Sequence, residues 1–137
     1  MKHFGRIANV LSFLIPRLFF ASESYIIGQA LGQMGNNLFQ VATASALAWD
    51  HGTVAYFPRL AHVPSLYQHV FSRCRLYPPS EEVDLQWEEL SYRYHPIPFM
   101  PRMKICGYFQ SPKYFAHHRD KLLDLFAPTA RDERYMQ

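Results

Sequence analysis

Charge is scarce in this 137-residue chain. Charged side chains make up 18% of it, against a norm of about 25% in soluble domains. With 14 Lys plus Arg and 11 Asp plus Glu, the net charge is only +3. The basic residues are dispersed and form no stripe or basic face, which points away from nucleic acid as a partner. The one dense acidic run, Glu81 to Glu89, reads as a solvated face. Cysteine is nearly as scarce. Cys74 and Cys106 form no Cys-x-x-Cys and no close Cys/His pair, whereas a structural zinc site needs about four ligands at short spacings. They read as ordinary half-buried thiols, which an exported protein could join in one disulfide. The seven histidines, His3, His51, His62, His69, His95, His117 and His118, contain no His-Glu-x-x-His pattern. They read as surface or loop residues, and no metal is assigned. Gly-x-Gly-x-x-Gly and Gly-x4-Gly-Lys-Ser/Thr phosphate loops, internal repeats and low-complexity tracts are also missing from the sequence.

What is present is apolar: 49% hydrophobic residues, of which aromatics are prominent, 16% of the chain. A chain of this length with this composition can bury the core of a single domain. Residues 1–24 differ from the rest. A positive start (Lys2, Arg6), an apolar run over residues 7–15 and small residues from Ala21 resemble a secretory signal. Pro16 and Arg17 interrupt the pattern, and the run is shorter than the roughly 17–25 residues of a membrane span. The alternative is an amphipathic leader helix lying on the domain or, through residues 7–21, on a membrane surface. Location follows the leader: membrane-associated or exported if it is a signal or anchor, cytoplasmic otherwise.

From residue 25 onward the pattern becomes regular. Tyr25 to Ala30 predicts a first strand. Gly32 and Gly35 punctuate a turn, and Leu38, Ala42, Ser45 and Trp49 then recur on one helical face. Alanines at 42, 44, 46 and 48 keep that helix slim enough to lie close on a sheet, and Gly52 is its natural stop. Thr53 to Phe57 predicts a second strand. Strand, helix, strand at this spacing is a βαβ unit, which implies a right-handed crossover and a parallel sheet. Seven prolines between residues 58 and 101 obscure the middle, where Leu66 to Phe71 reads as a short helix and Leu85 to Leu90 as a strand or a turn of helix. Met103 to Tyr108 predicts a further strand, Phe109-Gln110 a turn, and Ser111-Pro112 the cap and first residue of a helix. Its inner face would carry Phe115, His118, Leu122, Leu125 and Phe126, and the polar end, Thr129 to Gln137, would fray.

Two segments carry a resemblance. Gly32-Gln-Met-Gly-Asn-Asn-Leu-Phe-Gln40, leading into the Ala-rich helix and His51-Gly52, resembles the opening motif of the α-1,2-fucosyltransferases. Gly107-Tyr-Phe-Gln-Ser-Pro-Lys-Tyr-Phe115, followed by His118-Arg-Asp-Lys-Leu, resembles that family's second segment, and order and spacing agree over about residues 25–127. The resemblance implies an α/β, Rossmann-like βαβ domain with a parallel sheet, the N-terminal, acceptor-side half of a GT-B glycosyltransferase, here residues 25–137. It implies GDP-fucose as donor substrate, a galactose-ended glycan as acceptor, and no metal or other cofactor. Carried over by position, Asn36 is the candidate catalytic residue, and Gly32, Gly35, Asn36, Asn37, Gln110 and Ser111 are candidate substrate-binding residues. Asn37 stands where the family usually has Gln, one methylene longer. Helix capping is the alternative for Asn36 and Asn37, and turn plus cap for Gln110 and Ser111.

The family's His-x-Arg-Arg-x-Asp motif, whose arginine contacts the donor diphosphate, does not occur in these 137 residues. His117-His-Arg-Asp120 falls within the helix after Ser111 and has the wrong spacing. Three readings follow: the N-terminal half of a fucosyltransferase, inactive without a donor domain in cis; a non-catalytic glycan-binding or interaction module; and a generic nucleotide-binding βαβ domain.

Overall fold

A computed structural model of the chain describes residues 24–136. Apart from Ser24, the leader expected over residues 1–24 lies outside the described residues. Among those described, no helix is long and apolar enough to cross a membrane.

The core is a four-stranded sheet. β1 (Tyr25–Gly28), β2 (Ala55–Tyr56), β3 (Leu85–Glu88) and β4 (Arg102–Cys106) lie in the order β2-β1-β4-β3. Every pairing is parallel: Ile26 stands opposite Ala55 and Met103, and Lys104 opposite Ile27 and Gln86. The βαβ unit and parallel sheet implied by the first 57 residues are therefore present, and the fold is α/β. The ambiguous segment at 85–90 is a strand. It joins β4 through a helix-free connection over residues 89–101 that carries Pro96, Pro98 and Pro101.

Helix α1 (Met34–Asp50) covers one face of the sheet, and its residues 40–48 are buried throughout. The alternation along β4 explains the match. Met103 and Ile105 are fully buried, while Arg102, Lys104 and Cys106 between them are half-buried, as a period of two requires. Met103, Ile105 and Ile26 meet Val41, Ala44 and Ala48 of α1 in one apolar cluster closed by Phe57, Leu60, Phe71 and Phe109. The approach is close: a Cβ on Gly28 would collide with the Phe57 ring and lie 3.0 Å from the Ala44 methyl. Gly52, at φ 64°, ends the helix as its sequence position implied, since only glycine reaches the left-handed region without steric cost.

The second half departs from expectation in two places. The helix after Ser111 is not continuous. Two short 3-10 turns, Pro112–Tyr114 and Ala116–His118, precede α2 (Arg119–Leu125), and Tyr114 and Leu122 are its buried contacts. The end of the chain is a helix where fraying was expected: α3 (Ala130–Met136). Thr129 and Asp132 cap it reciprocally. The Asp132 carboxylate accepts from the Thr129 N–H at 2.8 Å, and the Thr129 hydroxyl accepts from the Asp132 N–H at 3.3 Å. This is a capping box built with Asp, in a stretch whose polarity had suggested disorder.

Candidate functional site

The candidate residues gather beyond the carboxyl ends of neighbouring strands β1 and β4, where open α/β sheets bind ligands. Two loops meet there. One, residues 29–33, runs from β1 into α1; the other, residues 107–111, runs from β4 into the 3-10 turns.

Three buried or half-buried amides tie the loops together. Gln40, 1% exposed, accepts the Leu31 N–H at 2.9 Å and donates to the Gly107 carbonyl at 2.9 Å. Asn37, fully buried, donates to the Leu31 carbonyl at 3.0 Å and to Gln40 Oε1 at 3.3 Å. Gln29 accepts the Gly107 N–H at 3.0 Å. Neither Asn36 nor Asn37 caps α1. Its N-cap is Gln33, in an extended conformation and without a side-chain bond, and both asparagines lie inside the helix. Capping is thus the wrong alternative for them, because Asn37 spends its amide on holding the loop at Leu31 and Asn36 reaches across to the other loop.

At the tip, Asn36 Oδ1 accepts from Gln110 Nε2 at 2.9 Å. The two motif segments, 74 residues apart in sequence, are therefore joined directly by two of the candidate residues. Gly32 sits at φ 79°, and a Cβ there would lie 2.6 Å from Asn36 Nδ2; glycine lets the asparagine fold back over the loop. Gly35 is exposed, with open space where its Cβ would be. Ser111 has a local role: its hydroxyl accepts the Lys113 N–H at 3.4 Å at the start of the 3-10 turn. Turn plus cap thus describes Ser111, while Gln110 belongs with Asn36. The first turn of α1 carries no side-chain cap and no acidic residue, so its N–H groups and positive dipole end face outward.

Three residues of this platform went unassigned in the sequence. Gln40 closes the first motif but reads there as one more helical polar residue. Gln29 follows a strand with no motif to mark it. Glu89 belongs to the acidic run read as solvated, yet its carboxylate accepts the Tyr108 and Phe109 N–H groups at 3.2 and 3.1 Å. It holds a strained turn: Phe109 is a non-glycine at φ 52°, and at Gly107 a Cβ would lie 2.5 Å from Glu89 Cβ. The buried Phe109 ring packs on Trp87 and Tyr114, which compensates a conformation of this kind, itself costing about 1–3 kcal/mol.

Two cavities flank the loops. One of about 510 Å³ lies on the sheet side, where Gln29, Arg59, Glu81, Gln86 and Lys104 can hydrogen-bond and Ile27, Leu31, Pro58 and Val83 supply apolar wall. The other, about 680 Å³, is an apolar groove between α1 and α2, lined by Gly35, Leu38, Phe39, Phe115 and Leu122 among others. Away from the loops, His118 follows its expected place on the inner face of the helical segment rather than the general reading of the histidines as surface or loop residues. Its side chain is 17% exposed, and it bonds Asp50 at 2.6 Å. Burial pushes the Asp50 carboxyl upward, but hydrogen bonds and charge from His117 and His118 outweigh it and hold the group below its usual value. The cysteines are free thiols, and burial pushes Cys74 up to about 12.

The fold and the loops define a parallel α/β domain with a polar platform at the carboxyl ends of its strands. Over 108 residues the chain is 31% identical to the galactoside alpha-(1,2)-fucosyltransferase 2 of the rabbit, Oryctolagus cuniculus. That similarity covers 71% of this chain and 28% of the rabbit protein, so the chain spans just over a quarter of that relative's length. No family model matches the chain, and no solved structure matches it. The likeness is distant and supports, at family level, a glycosyltransferase-like function.

Proposed function

We propose that this domain is the acceptor-side, Rossmann-like half of a GT-B fucosyltransferase that moves L-fucose from GDP-fucose to the 2-hydroxyl of a galactose-ended glycan. The hydrogen bond from Gln110 to Asn36 carries the reading, because it joins both motif segments at the carboxyl ends of the strands. The similarity to the rabbit fucosyltransferase supports it. Asn36 bonds the reacting sugar, Gln110 orients Asn36, and the uncapped start of α1 with Gly32 and Gly35 leaves room for a diphosphate-sugar to approach the backbone. The cavity beside Gln29 and Lys104 mixes hydrogen-bonding and apolar walls, which suits the hydroxyls and the apolar ring faces of the acceptor.

No metal enters this chemistry. The departing diphosphate is stabilised by basic side chains and backbone N–H groups, of which the 137 residues contribute the backbone share. Because a single preorganised donor to a developing charge is worth about 3–4 kcal/mol, or roughly 10²–10³ in rate, these 137 residues taken by themselves, which hold no His-x-Arg-Arg-x-Asp arginine, are expected to show no steady turnover. The test is a radiolabelled transfer assay with the purified polypeptide, alongside calorimetric titration of a galactose-ended glycan and of GDP-fucose. Glycan binding with no turnover is the expected result. Steady turnover overturns the inactivity, and flat titrations with both ligands overturn the acceptor-side assignment.

A further inference from the structure

Remote from the motif loops, Asp50, His117 and His118 form a second polar cluster, and they come from opposite ends of the domain's sequence. Asp50 is the last residue of α1, and the histidines end the second 3-10 turn. His117 Nε2 lies 2.9 and 3.0 Å from the two Asp50 oxygens, and His118 Nε2 lies 2.6 Å from Oδ1. All three donor atoms fit within 4.8 Å of one another.

We propose that Asp50, His117 and His118 form a binding site for a divalent transition ion of the zinc type, clamping the end of α1 to the segment that starts α2.

The donor set decides the class of ion. Two imidazole nitrogens and one carboxylate suit zinc and its neighbours, whereas magnesium and calcium take oxygen ligands. Three protein ligands leave a position for water. The spacing is near: ligand atoms about 2.0–2.1 Å from a tetrahedral zinc lie about 3.3 Å apart, so the observed 2.6–3.0 Å contacts need to open by about 0.3–0.7 Å. Both imidazoles already turn the same nitrogen toward one carboxylate. Once the bridging protons leave and the carboxylate draws back, the two nitrogen lone pairs converge on the space that Asp50 Oδ1 held. His118 is held by edge-on packing against Trp49, 5.4 Å between ring centroids, so one ligand is set in place beforehand. The last turn of α1 carries no basic residue, and the negative end of the helix dipole favours a cation there.

The sequence offered no sign of this site, because its ligands are separated by 67 residues and only the fold unites them. The test is calorimetric titration of the full chain with zinc chloride, with magnesium chloride as a control, and the visible spectrum with cobalt(II) as a second readout. One equivalent of zinc binds the wild type, magnesium does not compete, and cobalt gives the absorption of a four- or five-coordinate ion. Asp50→Asn, His117→Ala and His118→Ala each weaken zinc at least tenfold, and His62→Ala does not. If a variant fails to fold, the cobalt spectrum and stoichiometry of the wild type decide by themselves. Zinc binding that survives His117→Ala with His118→Ala, or a wild type that binds no more zinc than that double variant, overturns the site.

Discussion

Replacing Gln40 by Leu should separate the two motif loops at their base. Gln40 is 1% exposed and makes three side-chain bonds: from the Leu31 N–H, from Asn37 Nδ2 and to the Gly107 carbonyl. A net hydrogen bond contributes about 1 kcal/mol, and a buried group left unpaired costs about 1–3 kcal/mol. Leu31 is exposed and Gly107 half-buried, so water can reach their backbone groups; Asn37, at 0% exposure, keeps only its bond to the Leu31 carbonyl. Leu preserves much of the volume, so the loss should be about 3 kcal/mol, and Gln40→Ala should lose about 1–2 kcal/mol more through the cavity it leaves. Urea unfolding measures this: with slopes of about 1–3 kcal/mol/M the midpoint falls by about 1–3 M. Gln40→Glu adds a sign. Its carboxylate would face the Gly107 carbonyl and repel it, whereas the protonated acid can donate to it. That variant's folded pKa is therefore raised, and its penalty is relieved as the pH falls through that raised value. A Gln40→Leu loss below about 1 kcal/mol would show that the amide does not hold the loops, and the platform argument would fail.

Three further outcomes follow from single contacts. Gly28→Ala puts a methyl into the Phe57 ring and should cost about 1–3 kcal/mol by overpacking, partly restored by Phe57→Leu; thermal melts showing the same loss in both backgrounds would rule out that clash. Asn36→Ala removes an exposed hydrogen bond and should shift stability by less than about 1 kcal/mol while abolishing glycan binding in titration calorimetry; unchanged affinity removes Asn36 from the site. Cys74, pushed from 9.0 up to about 12 by burial, holds about 10³-fold less thiolate at pH 8 than an unshifted thiol. Iodoacetamide should label it at least about 100-fold more slowly in the native protein than in urea. The same shift makes this thiol's stabilising share complete below pH 9, and it is lost as pH climbs toward 12. Rapid native labelling contradicts the burial.

The legible part of the fold was the part whose signal is local. A short β-prone apolar run at residues 25–30, a helical repeat with an alanine spine and Gly52 predict β1, α1 and β2, because these signals are written within a few residues. The parallel sheet followed from chain connectivity alone. Residues 85–90 stayed ambiguous because the alternation of β3, half-buried Leu85 and Trp87 against exposed Gln86 and Glu88, lasts only four residues, too short to separate a strand from a turn of helix. The C-terminal helix was missed because its Thr129–Asp132 box sits in a segment too polar to show an apolar stripe. At the site, the motif residues were legible and the supports were not. Glu89 looks like any surface acid until Tyr108 and Phe109 turn their N–H groups toward it.

The division between tip and base gives the platform its mechanical character. At the base, Gln29, Asn37 and Gln40 join the loops through buried or part-buried bonds, and the fully buried Asn37 has no water to replace a bond it loses. At the tip, the Asn36–Gln110 bond is exposed, and water or a sugar hydroxyl can replace either partner at a net cost below about 1 kcal/mol. A ligand can therefore recruit Asn36 or Gln110 without loosening the loops beneath them. The strain at Phe109 follows the same logic: Glu89 and two aromatic rings hold the backbone so that Gln110, the next residue, emerges toward α1. A rigid base under two exchangeable amides is the arrangement required if Asn36 is to meet a substrate in one fixed place.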